Sequence, residues 1–198
     1  MSTTPPARGG PARGRNAEVT RSEIVKAAAR HFAARGYAHV TLQDIASDAD
    51  VTAALINRYF GSKRALFEVV AAAEFGYDNT VPETAPELAR GLIAFWCNVQ
   101  ARTSAVALVR SIDLDNGALL QTELEHRIIS PLRERLRGRA DAEVIVRLVT
   151  SLTMGVGLFG LGALFGGPFE ELREPQRAAL ERRLTKVIEA CLAGEADA

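Results

Sequence analysis

The side chains best suited to binding chemistry lie within residues 52–63. Thr52, Asn57 and Arg58 provide a hydroxyl, an amide and a guanidinium group, and Lys63 adds an ammonium group at the end of the segment. Amides and guanidinium groups pair with the edges of bases, while cations and free backbone N–H groups at a helix start hold phosphates. The combination favours contact with a nucleic acid.

Residues that carry most enzyme chemistry are sparse in this sequence. The histidines are His31, His39 and His126, and the two cysteines, Cys97 and Cys191, lie far apart and outside any C-x-x-C pair. No P-loop, Ser/His/Asp arrangement or metal-ligand spacing is present. We therefore expect no enzyme, no metal site and no cofactor, and a reduced chain in the cytoplasm. His31 is interpreted as a partly buried packing residue.

Residues 41–60 predict two short helices joined by a tight turn. Thr41 can cap the first helix, with Asp44 three residues later completing a capping box. Asp50 lies in the turn, where aspartate is one of the few residues besides glycine that tolerates a left-handed backbone. Thr52 can cap the second helix, which turns Ile56 to the core and leaves its other face free. Such a helix-turn-helix places its second helix in the major groove of DNA.

The chain resembles the DNA-binding domain of TetR (tetracycline-repressor-like) transcriptional regulators from residue 20 to about residue 73. Its first helix has Thr20 and Glu23 as a predicted capping box and Gly36 as a left-handed C-cap, followed by Tyr37. Residues 58–63, RYFGSK, resemble the most specific signature of that family. The resemblance implies an all-α protein of about nine helices, with an N-terminal three-helix DNA-binding domain followed by a helical ligand-binding and dimerisation domain.

The resemblance implies a set of DNA-binding residues, of which Tyr59 and Lys63 would hold phosphates. The set is Thr41, Thr52, Ala53, Ala54, Asn57, Arg58, Tyr59 and Lys63. Two positions depart from the family pattern, because Asp50 stands where glycine is usual and Asn57 where tyrosine is common. Asn57 could pair with an adenine or contact only a phosphate, and both interpretations remain open.

Composition and charge predict three regions along the chain. Residues 1–17 are rich in Pro, Gly and Arg, which predicts a disordered basic arm that either follows DNA or makes no contact. Residues 18–78 form the predicted DNA-binding domain and residues 79–198 the effector-binding and dimerisation domain. Residues 1–64 hold ten Lys and Arg against five Asp and Glu, net +5, so the remaining 134 carry 14 against 19, net −5. The excess positive charge coincides with the helix-turn-helix, as expected for a DNA-binding end.

The rest of the chain keeps a helical pattern. The predicted helices are 63–77, 86–101, 103–113, 116–137 with a kink at Pro131, 141–165 and 175–192. Residues 148–169 contain no charge and six glycines, so a membrane span competes with a helix covered by a second subunit. The glycines dilute the hydrophobicity and favour the second interpretation. We therefore expect a homodimer through the helices near 141–165 and 175–192, with no membrane partner.

A scattered set of aromatic, sulfur and polar residues in these helices is the candidate effector pocket. The set is Phe75, Phe95, Trp96, Gln100, Arg110, Asp113, Met154 and Phe159. The same residues could be simple core, and Arg110 with Asp113 could be a surface ion pair. The resulting hypothesis is a homodimeric, sequence-specific DNA-binding regulator, a repressor released from a double-stranded DNA operator by a small hydrophobic or amphipathic effector. The alternative is a ligand-independent DNA-binding or co-regulatory protein whose C-terminal domain only dimerises.

Overall fold

The computed structural model describes residues 11–72, 82–160 and 173–193, and these ranges contain helices and no strands. The first four helices, here called the head, are α1 (Pro11–Arg35), α2 (Leu42–Asp48), α3 (Ala53–Phe60) and α4 (Lys63–Ala72). The remaining six, here called the body, are α5 (Ala85–Cys97), α6 (Val99–Arg110), α7 (Ala118–Leu124), α8 (Ser130–Arg135), α9 (Ala142–Gly155) and α10 (Glu174–Leu192). Because α7 and α8 are continuous, the described chain has nine helices, and the predicted all-α class is confirmed.

Helix α1 begins earlier than the sequence predicted, at Pro11. Thr20 lies inside the helix, where its hydroxyl donates a hydrogen bond to the Asn16 carbonyl at 2.8 Å. The predicted capping box of Thr20 and Glu23 is therefore wrong, because capping serves only the unpaired N–H groups of a helix start. Residues 11–17, predicted to be disordered, form the first turns of α1, and the rest of the predicted arm lies outside the described residues.

One helix of the body contributes to the core of the head. The head closes around fully buried side chains: Ile24, Phe32, Ile45, Ile56, Leu66 and Phe67. Helix α6 adds Ala107 and Leu108 to this core, while its Ala105 and Val106 lie in a second core with α5 and α10. A third core joins α8 to α9. The head and the body are thus packed together along α6.

A single residue, Asn98, separates α5 from α6. It is the C-cap of α5 and the N-cap of α6, and its side-chain oxygen accepts a hydrogen bond from the Ala101 N–H at 3.0 Å. The two helix axes differ by 82°. The predicted break, between residues 101 and 103, was placed too late, because asparagine is itself a strong N-cap.

The predicted kink at Pro131 takes the form of a wider helical turn. A π-helical turn, Glu125–Ile129, directly precedes α8 and joins it to α7 without a break. Proline has no N–H and its ring collides with the carbonyl four residues earlier, here that of Arg127. The extra residue in a π turn accommodates that missing hydrogen bond and keeps residues 118–135 as one helix.

Helix α9 is buried on one side only. Its inner residues Ile145, Val146 and Val149 lie in the third core, and 28% of the Ala142–Phe159 stretch is buried. That stretch has a mean hydropathy of 1.6 and is long enough to cross a membrane, and α5 with α6 would pass the same test as a bent pair. Four exposed apolar side chains on α9, on the turn after it and on α10 form what we call the outer stripe: Val144, Leu148, Phe159 and Val187. The predicted continuation to residue 165 lies outside the described residues.

Candidate functional site

The start of α2 has the capping box that the sequence predicts. The Thr41 hydroxyl accepts a hydrogen bond from the Asp44 N–H at 3.1 Å, and the Asp44 carboxylate accepts from the Thr41 N–H at 2.8 Å. The Thr41 hydroxyl also donates to that carboxylate at 2.7 Å. This hydroxyl bond, followed by the backbone bond, lowers the pKa of Asp44 below its ordinary value. The carboxylate is therefore ionised at neutral pH and fixes the first turn of α2.

The turn into α3 also matches the prediction. Asp50 has a φ of +52°, in the left-handed region. The Thr52 hydroxyl accepts from the Leu55 N–H at 3.2 Å and starts α3, as predicted. Gly61, with a φ of +81°, ends the helix by donating its N–H to the Asn57 carbonyl at 2.7 Å. Helix α3 is thus held at both ends.

One side of α3 is open to solvent. Ile56 is fully buried in the head core, and Leu55 is half-buried. Four exposed residues on the other side form what we call the reading face: Thr52, Ala54, Asn57 and Arg58. Ala53, one of the predicted DNA-binding residues, is half-buried and packs against the head core. The reading face therefore offers a hydroxyl, an amide and a guanidinium group on a fixed helix.

The two predicted phosphate-binding residues lie beside the reading face. Tyr59 is half-buried against the head core, and Lys63 is the first residue of α4. The Lys63 ammonium lies 4.2 Å from the centre of the Tyr37 ring, an attractive cation–π contact. Burial lowers the pKa of Lys63, and the charge of Asp44 opposes that effect. The ammonium is thus positioned by packing at the N-terminus of α4, where anions bind favourably.

The two acidic groups of α2, Asp44 and Asp48, are paired with cations from α1. Asp48 accepts a hydrogen bond from Arg30 at 2.9 Å, and Asp44 lies 3.3 Å from the Arg35 guanidinium. His31, half-buried as expected, has Nε2 3.5 Å from the Asp48 carboxylate and Nδ1 2.7 Å from Arg35. These pairs offset the negative charge of α2 and tie it to α1.

The body contains a mainly apolar cavity of about 130 Å³. Helices α5 to α10, the π turn between α7 and α8, and Pro82 before α5 supply the wall. Its residues are Pro82, Leu88, Leu92, Phe95, Trp96, Ala105, Leu108, Leu120, Glu123, Leu124, Arg127, Ile128, Leu132, Val149, Leu152, Thr153, Met154 and Ile188. Its charged groups, Glu123 and Arg127, form an ion pair at 2.6 Å and are mostly buried. A pocket of this composition suits a small, mainly apolar molecule.

The predicted pocket residues do not all reach this cavity. Phe95, Trp96 and Met154 lie on its wall, Phe75 lies outside the described residues, and Gln100, Arg110, Asp113 and Phe159 are absent from the wall. Arg110 instead donates a hydrogen bond to the Ala34 carbonyl at 3.0 Å, between body and head. Gln100 and Asp113 are exposed, and Phe159, 63% exposed, belongs to the outer stripe.

Sequence reasoning missed the contribution of the helix at residues 118–135. Leu120, Leu124 and Ile128 recur on one face of it, and Glu123 and Arg127 are four residues apart among them. A charge pair at that spacing beside an apolar stripe is a signal that could have indicated this wall.

The positioned helix-turn-helix and the helical body define a DNA-binding transcriptional regulator of the kind the resemblance implied. The family model of bacterial regulatory proteins of the tetR family matches residues 24–70, and that of the tetracyclin repressor-like C-terminal domain matches residues 83–192. The chain therefore belongs to the TetR family of transcriptional regulators.

Solved structures of low sequence identity share the fold. GusR of Salmonella enterica has a TM-score of 0.67 at 20% identity, over 88% of this chain and 96% of that one. A TetR family regulator from Pseudomonas syringae pv. tomato has a TM-score of 0.62 at 19% identity, over 86% and 95%. A TetR-like regulator from Rhodococcus sp. RHA1 has a TM-score of 0.55 at 20% identity, over 89% and 97%. No curated protein sequence matches the chain significantly.

Proposed function

We propose that this protein is a cytoplasmic homodimeric repressor that leaves its DNA operator when a small hydrophobic or amphipathic molecule occupies the body cavity. The observation that carries the proposal is the reading face, a solvent-exposed polar side of α3 whose two ends are fixed by Thr52 and Gly61. A rigid helix with free amide and guanidinium groups is what major-groove recognition requires.

On DNA, the residues of α3 and α4 divide into two roles. Thr52, Ala54, Asn57 and Arg58 face the bases, with Arg58 suited to a guanine and Asn57 to an adenine. Thr41, Ala53, Tyr59 and Lys63 lie at the edges of this surface and contact the phosphate backbone. Phosphate contacts set the orientation of the head, and base contacts select the sequence.

The outer stripe supports dimerisation through α9 and α10. Val144, Leu148 and Phe159 are 58%, 50% and 63% exposed, and Val187 on α10 is 46% exposed. Leu148 follows Val144 by four residues, so both lie on the same face of α9. A two-fold partner that covers this stripe would form a four-helix interface and present two reading faces about 34 Å apart, one helical turn of DNA.

Residues of the cavity wall also contact the head. Leu108 of α6 lies both on the wall and in the head core. Arg127, also on the wall, donates a hydrogen bond to the carbonyl of Ala72, the last residue of α4, at 3.2 Å. A ligand that displaces this wall changes the position of α4, which begins at Lys63 beside the reading face. A coupling free energy of about 1–3 kcal/mol would weaken operator binding roughly 5- to 150-fold.

Selection from a pool of random DNA duplexes tests the proposal. The full chain should enrich a two-fold symmetric sequence and bind it far more tightly than random DNA at moderate salt. An affinity that is equal for selected and random duplexes would contradict sequence-specific regulation. Enrichment of a single half-site by a monomeric protein would contradict the homodimer.

A further inference from the structure

One residue of the cavity wall carries a buried, unpaired hydrogen-bond donor. Trp96, the only tryptophan in the chain, is fully buried and lies on the cavity wall. Its indole Nε1–H has no hydrogen-bond partner within the part of the chain that the structure describes. A buried donor without a partner is unfavourable, because it has lost its hydrogen bond to water and gained none in the protein. An acceptor on a bound molecule would remove that penalty.

The packing around Trp96 keeps the indole in place. Phe95 lies edge-on to it, with ring centres 5.1 Å apart and planes at 86°. Gly157 packs directly against the ring, and a Cβ at that position would overlap the indole. The Trp96 carbonyl accepts from the Arg102 guanidinium at 3.2 Å, which fixes the backbone as well. The N–H is therefore a donor held in one orientation.

The other polar groups on the wall already have partners. Glu123 and Arg127 neutralise each other at 2.6 Å, and Arg127 also donates to the Ala72 carbonyl. The Thr153 hydroxyl donates to the Val149 carbonyl at 2.7 Å. A charged ligand would enter this apolar space without a free countercharge among the described wall residues, which is strongly unfavourable.

We propose that the cavity binds an uncharged, mainly apolar molecule with one hydrogen-bond acceptor, such as a ketone or ester carbonyl, that accepts from the Trp96 Nε1–H. The volume of about 130 Å³ is close to that of the cavity of about 150 Å³ known to hold benzene, so one ring with a short substituent fits. This inference rests on the proposed function, which leaves the chemistry of the ligand open. It assigns the choice of ligand to Trp96.

Four ring compounds of similar size separate the possible chemistries: acetophenone carries the acceptor, ethylbenzene lacks it, benzoate is an anion and benzylamine is a cation. Because Trp96 is the sole tryptophan, its fluorescence in the intact full-length protein reports binding of each probe at the cavity. We expect acetophenone to bind about tenfold more tightly than ethylbenzene, and both ions to bind more weakly than either.

Two variants assign this preference to the indole N–H. Trp96→Phe should bind acetophenone and ethylbenzene equally by titration calorimetry. Thr185→Val should keep the preference, because it removes a hydroxyl that already donates to the Glu181 carbonyl at 2.8 Å and is absent from the wall. In the unaltered protein, the infrared carbonyl stretch of bound acetophenone should move to lower frequency than in hexane. Because it uses the unaltered protein, that measurement tests the hydrogen bond even if Trp96→Phe does not fold.

The inference is overturned if none of the four probes binds, if benzoate or benzylamine binds best, if ethylbenzene equals acetophenone, or if the carbonyl stretch does not move. These outcomes leave DNA release to be judged separately. A protein that binds acetophenone through Trp96 yet keeps its operator contradicts the proposed ligand-released repression alone. If another ligand releases the protein from its operator, but the protein does not prefer acetophenone to ethylbenzene, only the inference about Trp96 is contradicted.

Discussion

The backbone of Gly36 lies against the carbonyl of Arg110, so that a Cβ at residue 36 would be 2.6 Å from the carbonyl oxygen. The neighbouring Tyr37 N–H donates to the Ser111 hydroxyl at 3.0 Å, and the Arg110 guanidinium donates to the Ala34 carbonyl at 3.0 Å. The end of α1 is thus fastened to the end of α6. We expect this junction to carry a movement of α6 to the head.

Gly36→Ala should destabilise the protein strongly. Gly36 has a φ of +75°, so alanine there adds backbone strain to the overlap with the Arg110 oxygen, in total roughly 2–4 kcal/mol. Gly138→Ala is the matched control, because its φ is +87° but no atom lies within 4 Å of the added Cβ. Urea unfolding measures both. Equal losses in the two variants would show that the contact with Arg110 is unimportant.

Arg58→Ala and Lys63→Ala should impair DNA binding in different ways. Removing Arg58 from the reading face should relax the preference for one base, at about 1–3 kcal/mol. Removing Lys63 should weaken binding to all sequences and reduce the slope of affinity against salt concentration by about one unit. Arg137→Ala, at a residue 77% exposed near the end of α8, is the control for loss of charge. Unchanged affinity and preference in Arg58→Ala would remove that residue from the interface.

Leu148→Glu should convert the proposed dimer into a monomer. A carboxylate in the middle of the outer stripe would be buried without a partner across the interface. Val99→Glu is the control, because Val99 is equally exposed, at 52% against 50%, but starts α6 outside the stripe. Sedimentation velocity distinguishes the two species. If Leu148→Glu remains dimeric, the interface lies on another surface.

Thr41→Val should change the acid stability of the head. The Thr41 hydrogen bonds lower the folded-state pKa of Asp44, so its stabilising effect is present above the unfolded-state value of about 3.9 and is lost as pH falls through the folded-state value. The variant loses the largest of these effects but keeps the backbone bond and the Arg35 contact, so the pKa of Asp44 should rise part of the way towards its ordinary value. The stability difference between variant and parent should be largest near pH 7 and shrink below pH 4. An unchanged Asp44 titration by NMR would contradict this assignment.

Replacing the ion pair on the cavity wall should uncouple ligand from DNA. In the double variant Glu123→Gln with Arg127→Met, the hydrogen bond to the Ala72 carbonyl is lost without leaving an unpaired charge. Ligand binding should persist, but the fold-change in operator affinity that it causes should fall towards one. Arg133→Met is the control, because Arg133 pairs with Glu125 and Glu143 away from α4. Equal coupling in both variants would exclude this route.

The helix-turn-helix could be predicted because its signals are local. The Thr41 and Thr52 hydroxyls each cap a helix by accepting a hydrogen bond from an N–H group only three residues later. Asp50 adopts its left-handed backbone within a turn of a few residues. Local signals failed where a helix continued past a good capping residue. Thr20 is such a residue, since nothing in its own neighbourhood reveals that the helix starts at Pro11.

The cavity could be predicted only in part, because it depends on which helix faces meet. Trp96 and Met154 lie on its wall as expected, but Phe159, an equally apolar residue on the turn after α9, faces outward. The periodicity of α9 is compatible with burial on more than one side, so the sequence does not decide which side is inner. Glu123 and Arg127 had a sequence signal in their spacing of four residues beside an apolar stripe. The π turn between α7 and α8 had no sequence signature beyond Pro131.

The shared position of α6 has a consequence for protein engineering. A chimeric regulator cut between α4 and α5 would separate the head from Ala107 and Leu108, which complete its core. We expect such a fragment to fold poorly and to expose apolar surface, since those side chains have no replacement. When the bodies of two such regulators are exchanged, the α1 and α6 surfaces that pack together should therefore come from the same protein. Joining the two sequences between α4 and α5 should not be enough.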